Sequence, residues 1–360
     1  MNILFLAPYP KGQAPSQRYR FEHYLPYLEE KDIRYEYHPF LDEKTWAVFF
    51  RKGFLLMKIS GLVKGTIRRM QLMFKLNKFD YVYVHREAAP MGPPVFEWII
   101  ARLWRKKMIY DFDDAIWIPA ASSGNAIGLY IKAFWKIKWI CRWAYHITPG
   151  NNYLKTFAER YNTKITVIPT VVDTIYTNNR VQQHHTAHPV LGWTGSFSTL
   201  KYLDIVVALI RELQQEIRFS VIVIADRDPM LPLENYAFVP WDKATEIDDL
   251  MRIHVGIMPL YDDDLSKGKC GFKAIQYMSL GIPAVVSPVG VNTVIVDDGL
   301  NGFICHSNDE WKNHLRSLLT NHAEREAMGN RAIDKIRQYY SVNATVQTFI
   351  QLFYADSPGI

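Results

Sequence analysis

The 360-residue sequence is poor in cysteine, in long apolar runs and, over one stretch, in acid. Its three cysteines, Cys141, Cys270 and Cys305, show no paired spacing, which argues against a disulfide scaffold and a cysteine zinc site and favours a reducing compartment. No apolar run reaches the roughly 18 residues of a spanning helix. The N-terminus, MNILFLAPYP, lacks the basic region and small-residue cleavage site of a signal peptide and reads as a first strand. His184, His185 and His188 have no Cys, Asp or Glu among them, so they read as linker residues, and neither a metal nor a cofactor is expected. Residues 44–79 hold no Asp or Glu at all, against nine Lys or Arg.

What is present points to a globular α/β chain. Apolar residues make up 49% and charged residues 22%, and the length suits two domains, each with its own core. A formal charge of +6 favours anionic partners: nucleotide phosphates, anionic lipid or nucleic acid. The last is not expected, because the basic residues cluster without a base-reading motif.

The most informative stretch runs from His254 to Asn292. It reads as an apolar strand (255–260), a polar loop, a helix opening near Gly271 and Phe272, a Gly-Ile-Pro stop at 281–283, and a buried strand at 284–287. Such a unit builds a parallel sheet. The loop before its helix concentrates Lys267, Lys269, Gly268 and Gly271 where a helix dipole points its positive end, a setting suited to a diphosphate.

The run GFKAIQYMSLGIPAVVS, followed by PVGVN and GLNGF, resembles the donor-sugar segment of family 4 glycosyltransferases. The resemblance is dense over 190–304 and looser before 150. It implies an α/β GT-B fold: two doubly wound Rossmann-like domains facing across a cleft. It also implies a retaining hexosyltransferase-type enzyme, of the kind that builds bacterial surface polysaccharides, with a nucleoside-diphosphate sugar of UDP or GDP type as donor. The expected boundaries are an acceptor-side domain over 1–173, ending on IPTVVD, which is similar to the family's exit segment, and a linker over 174–188. A donor-binding domain over 189–340 and a C-terminal helix over 341–360 that crosses back complete the chain.

For the donor, the resemblance implies roles for Gly12, Ser196, Lys201, Trp241, Lys269, Gly271, Phe272, Lys273 and Gln276. Lys201 matches a family lysine, whereas Ser196 stands where the family has an arginine. Two family glutamates fall on Gly268 and Gln276, and glutamine still bonds a ribose hydroxyl through its amide. Trp241, in FVPWDK, either stacks on the base or closes a hydrophobic surface. Asp262, Asp263 and Asp264 read as a solvated loop.

In the first domain, carboxylates just past a parallel strand lie on the ligand side of the sheet. YDFDDAIW places Asp113 and Asp114 there, near where the family keeps a histidine, to orient the acceptor hydroxyl or take its proton; Asp113 also fits a helix N-cap. Arg18, His85 and Arg86 are assigned to the acceptor side, and one helix is expected over 16–28. The basic segment 44–79 reads as an amphipathic helix seated in an anionic membrane interface by Trp46, Phe49, Phe54 and Leu55, or as a helix packed on the sheet. The aromatic-basic run 127–146 either extends that surface or buries Trp135, Trp139 and Trp143. The acceptor is then a glycan or lipid-linked oligosaccharide, and the protein cytoplasmic and peripheral on the inner membrane face. A nucleotide-sugar epimerase of the same fold and a catalytically silent scaffold are the alternatives.

Overall fold

The structure, a computed structural model, describes residues 1–119 and 133–354. It divides into two compact units: Met1–Thr170 with the chain from Thr345 onward, and Val171–Ala344.

The first unit is built on five parallel strands: β1 (Asn2–Ala7), β2 (Arg34–Pro39), β3 (Tyr81–His85), β4 (Lys107–Phe112) and β5 (His146–Pro149), in the order β2-β1-β3-β4-β5. β1 and β3 read as unbroken apolar runs because both of their faces are covered; Ile3, Leu4, Phe5, Val82 and Val84 are fully buried. The strand order reverses between β1 and β3, which places the loops after these strands at a switch point. The helix Val342–Gln351 brings Thr345 onto the Tyr24 hydroxyl at 2.7 Å and stacks Phe349 on Tyr24 with ring centroids 4.3 Å apart.

The second unit holds six parallel strands: β6 (Val190–Gly195), β7 (Ser220–Ala225), β8 (Tyr236–Pro240), β9 (Val255–Met258), β10 (Ala284–Val286) and β11 (Gly302–Ile304). Their order is β11-β10-β9-β6-β7-β8, reversing between β6 and β9. The helix Phe272–Ser279 lies unusually close to β9: a Cβ on Gly256 would stand 2.3 Å from the Tyr277 ring. Tyr277 uses that proximity to accept a hydrogen bond from the Thr194 amide at 2.8 Å. The closeness of helix and sheet fixes the height of the helix N-terminus over the strand ends. Residues 174–188 run along this unit, where buried Asn178 bonds Ser279 at 2.9 Å and buried His184 bonds the Gly281 carbonyl at 2.7 Å.

Two expected helices are broken. Over 16–28 the chain forms Pro15–Arg18, a turn, a short 3-10 segment Glu22–Tyr24 and then Leu25–Glu30. Pro26 carries no N–H to continue a helix, and Gln17, Arg20 and Glu22 turn inward to buried polar partners. Over 44–79 the helices Glu43–Phe49 and Leu55–Met73 are separated at Gly53 and Phe54, both at positive φ. Trp46 and Phe49, expected as membrane anchors, are half-buried, with Trp46 against the Tyr9 ring at 4.5 Å. Phe54 and Leu55 are exposed. Of the run 127–146, residues 127–132 lie outside the described residues; Trp135 is exposed and Trp139 and Trp143 are half-buried.

Candidate active site

In the second unit, the loops leaving β6 and β9 flank the switch point. After β6, Ser196 caps the 3-10 helix Phe197–Ile205, exchanging bonds with Thr199. That helix carries Lys201 and Tyr202. After β9, Asp263 caps the short helix Asp264–Lys267 by accepting from the Ser266 amide at 2.7 Å, and Asp262 pairs with Lys267 at 3.0 Å. The two loops are tied where the Tyr202 hydroxyl meets Ser266 at 3.0 Å and the Tyr261 hydroxyl donates to the Lys201 carbonyl at 3.3 Å.

This tie brings distant lysines together. The ammonium groups of Lys201 and Lys269 lie 5.2 and 5.8 Å from the centre of the same Tyr202 ring. Burial would raise the Asp263 carboxyl, but bonds from Ser266 and the charges of Lys201 and Lys269 hold it below the usual carboxylate range. Lys273, the second residue of the helix Phe272–Ser279, lies 5.2 Å from the ring of Trp193 on β6. Gly271 caps that helix at φ 67, in the left-handed region, and a Cβ there would stand 2.1 Å from Ile295. Lys269 and Lys273 thus bracket the Gly271 cap in sequence, and Lys269 shares the Tyr202 ring with Lys201.

Deeper along the same helix, buried Gln276 donates through Nε2 to Glu246 Oε1 at 3.2 Å. The same oxygen accepts from Trp241 Nε1 at 3.2 Å, and Glu246 is itself buried. Glu246 was missed by the sequence reading. It restores a carboxylate beside a position where the family resemblance puts glutamate and this chain has glutamine. Its signal was weak, a single acid in the acid-rich EIDDL segment. Ser196 is exposed, and on the neighbouring strand end Arg227 stacks its guanidinium 3.8 Å from the Phe197 ring centre.

In the first unit the residues at the switch point form two layers. In the buried layer Asp111 accepts from Arg20 at 2.5 Å, from the Thr148 hydroxyl at 2.9 Å and from His85 Nδ1 at 2.7 Å. Burial alone would raise Asp111, but Arg20 and His85 hold it far below the usual carboxylate range, so it is ionised and His85 Nδ1 carries the donated proton. His85 is fully buried, and among the described residues its Nε2 has no hydrogen-bond partner.

In the outer layer Arg86, at φ 59, donates through Nε to Asp113 Oδ1 at 2.7 Å. Burial works against both charges, but the Arg86 guanidinium keeps Asp113 low and Asp113 keeps Arg86 high. Asp114 is half-buried and accepts from the Ala115 amide at 3.1 Å. No helix among the described residues starts at Asp113. Gly12 donates its amide to buried Glu22 at 2.7 Å, and burial raises that carboxyl. Half-buried Arg18 lies 4.8 Å from the Tyr19 ring centre. Among the described residues no group of acids, histidines and cysteines could hold a metal ion.

Two parallel-sheet α/β units with polar clusters at their switch points make this a GT-B fold, as expected. Residues 177–335 match the model of the family described as Glycosyl transferases group 1. The chain is 32% identical over 92 residues to the D-inositol 3-phosphate glycosyltransferase of Corynebacterium aurimucosum, a match that takes in 25% of this chain and 21% of that enzyme. Sucrose-phosphate synthase from Thermosynechococcus elongatus superposes with a TM-score of 0.71 at 12% identity over 99% of this chain and 100% of that one. Anabaena HepE in complex with UDP and glucose superposes with a TM-score of 0.64 at 14% identity over the same shares. The lipopolysaccharide outer core galactosyltransferase WaaB, at 12% identity and 99% of each chain, gives 0.65.

Proposed function

We propose that the protein is a retaining glycosyltransferase that moves a hexosyl group from a nucleoside-diphosphate sugar, of UDP or GDP type, to an acceptor hydroxyl. The observation that carries this reading is the pairing of Lys201 and Lys269 over the Tyr202 ring, with Lys269 two residues before the Gly271 cap of the helix Phe272–Ser279 and Lys273 in that helix's first turn. Glycosyl transfer builds negative charge on the departing diphosphate, and fixed cations with helix amides stabilise it without reorganising. The Gly195-Ser196 turn borders the same site. Glu246 holds the Gln276 amide by accepting its Nε2 hydrogen, which directs the amide carbonyl as an acceptor for a ribose hydroxyl, and Trp241 donates to the same carboxylate oxygen. UDP in the HepE complex is in keeping with such a donor.

The acceptor side falls to Arg86, Asp113 and Asp114. A carboxylate held low by its guanidinium is a weak base at neutral pH, so Asp113 orients the acceptor hydroxyl rather than removing its proton outright. His85 lies in the buried layer beneath them, bonded to Asp111. The exposed apolar and basic face of the helix Leu55–Met73 supports a glycan or lipid-linked acceptor met at an anionic membrane surface.

Calorimetric titration with UDP, GDP and ADP, repeated on Lys269→Ala and Lys201→Ala, tests the donor site. One nucleotide should bind, and either substitution should weaken it by about tenfold or more, the loss of one charge-assisted phosphate contact. Absence of binding for all three would favour the silent scaffold. Conversion of the sugar with donor alone would favour the epimerase.

A further inference from the structure

We propose that an apolar groove in the first unit receives one hydrocarbon chain of an anionic bilayer lipid, while the helix Leu55–Met73 beside it lies in the bilayer interface. This rests on the membrane-surface part of the reading above and is independent of the donor site.

The helix is packed the wrong way round for a water-facing surface. A globular helix turns its apolar stripe inward. Here the inward face is Gly61, Gly65 and Arg69 over most of the length, and only the last turn buries apolar side chains, Leu72 and Met73. A Cβ on Gly61 would stand 2.2 Å from Thr45, and one on Gly65 2.6 Å from the Phe40 carbonyl. Buried Arg69 bonds the carbonyls of Ala88 at 2.8 Å and Ala7 at 3.0 Å. Two glycines and one arginine thus hold the first three-quarters of the helix against the body, and Leu72 and Met73 seat its end. The stripe Leu56, Ile59, Val63, Ile67 and Phe74 is left outside, with Leu56 83% and Phe74 81% exposed.

Along one flank of that stripe, Leu62, Met70 and Phe74 face Met91, Leu103 and Trp104 across a groove of about 810 Å³. That size falls in the roughly 300–1,000 Å³ range of sites that bury a ligand. A second apolar hollow of about 320 Å³, lined by Trp98, Trp135, Trp139 and Trp143, shares Pro93 and Val95 with it and extends the surface. Such tryptophans suit the headgroup level of a bilayer.

Charge selects the occupant. Lys58, Lys64 and Lys75 border the stripe and Arg102 and Arg105 border the groove, and residues 44–79 hold no acid. Two copies of this face would set like charges against each other. Anionic headgroups complement it, and their chains are the only part of a bilayer that fits an apolar slot.

The test uses vesicles of phosphatidylglycerol and phosphatidylcholine carrying a diazirine at the last carbon of one acyl chain. Irradiation should label Met70, Phe74, Leu103 or Trp104. The double variant Met70→Glu, Leu103→Glu alters residues 51% and 64% exposed, so the fold should survive, as its melting temperature would verify. It should abolish that label and weaken vesicle binding by at least about tenfold, the effect of forfeiting roughly two methylenes of apolar burial. Label confined to Leu56, Ile59 and Val63, undiminished label in the double variant, or a lipid-free dimer that shields the stripe would each overturn the proposal. Nucleotide titration of the same samples separates the two readings: a protein that binds UDP but takes no groove label keeps the donor site and loses the lipid slot, and the reverse result does the opposite.

Discussion

The Arg20 guanidinium meets the Asp111 carboxylate at 2.5 Å, with both side chains withdrawn from water. Two further Arg20 hydrogens go to the carbonyls of Thr148 and Ile168, so the charge is held within the first unit. Removing one partner of a buried pair strands the other, at a cost of about 3–5 kcal/mol. Asp111→Ala should therefore lower stability by that order in denaturant titration. The depressed Asp111 carboxyl also sets a pH window. Its stabilisation is complete above about 3.9, the ordinary carboxylate value, and is lost as pH falls below that toward the lower folded value. Melting temperatures of the wild type should drop steeply below about pH 4, and those of Asp111→Ala less so.

The second unit has a window of opposite origin. Burial and the nearby Arg325 hold His254 down to about 4, and burial also lowers His184. Below about 6.5 the unfolded chain takes up protons on these imidazoles that the folded unit refuses, so stability falls as pH drops from there toward 4. His254 accepts the Val190 amide at 3.2 Å through Nδ1, a bond that exists only in the neutral form. His254→Gln should be less stable at pH 7 yet show a shallower loss between pH 7 and 5. An equal slope in the two proteins would remove His254 as the cause.

The β9–helix–β10 unit was legible in the sequence because buried parallel strands are written as continuous apolar runs and Gly-Ile-Pro marks the helix end. What escaped was everything made by distant pairing. Arg20 and Asp111 stand 91 positions apart, and Glu246 lies 30 positions from the Gln276 it bonds, so neither relation leaves a spacing to read. The orientation of the helix Leu55–Met73 escaped for another reason. An amphipathic pattern says that a helix has two faces, not which one turns inward; Gly61 and Gly65, one turn apart, carried that information.

Gly271→Ala should damage the second unit through two separable effects. Its φ of 67 is left-handed, which costs an alanine about 1–2 kcal/mol, and the new methyl would meet Ile295 Cδ1 at 2.1 Å. Because that contact is the end of a flexible side chain, overpacking adds about 1–3 kcal/mol rather than preventing folding. Urea midpoints should fall accordingly with an unchanged slope. Adding Ile295→Val, which removes Cδ1, should recover the contact part and leave the strain.

Glu246→Gln tests how the site reads a ribose. The substitution keeps volume and an oxygen for Trp241 Nε1, but it exchanges a charged acceptor for a neutral amide facing the Gln276 amide. Gln276 is buried, so it has little freedom to find another partner, and its carbonyl should lose its fixed direction. A hydrogen bond to a charged group contributes about 1.5–3 kcal/mol and a neutral one about 1. The difference corresponds to roughly two- to thirtyfold in nucleotide affinity. The loss should be selective. The wild type should bind UDP more tightly than 2′-deoxy-UDP, and in Glu246→Gln the two should converge, while Lys269→Ala weakens both alike. If Glu246→Gln left the ratio of the two affinities unchanged, the Glu246–Gln276 pair would be a structural tie between the helix and the segment beneath it, and the ribose contact would lie elsewhere.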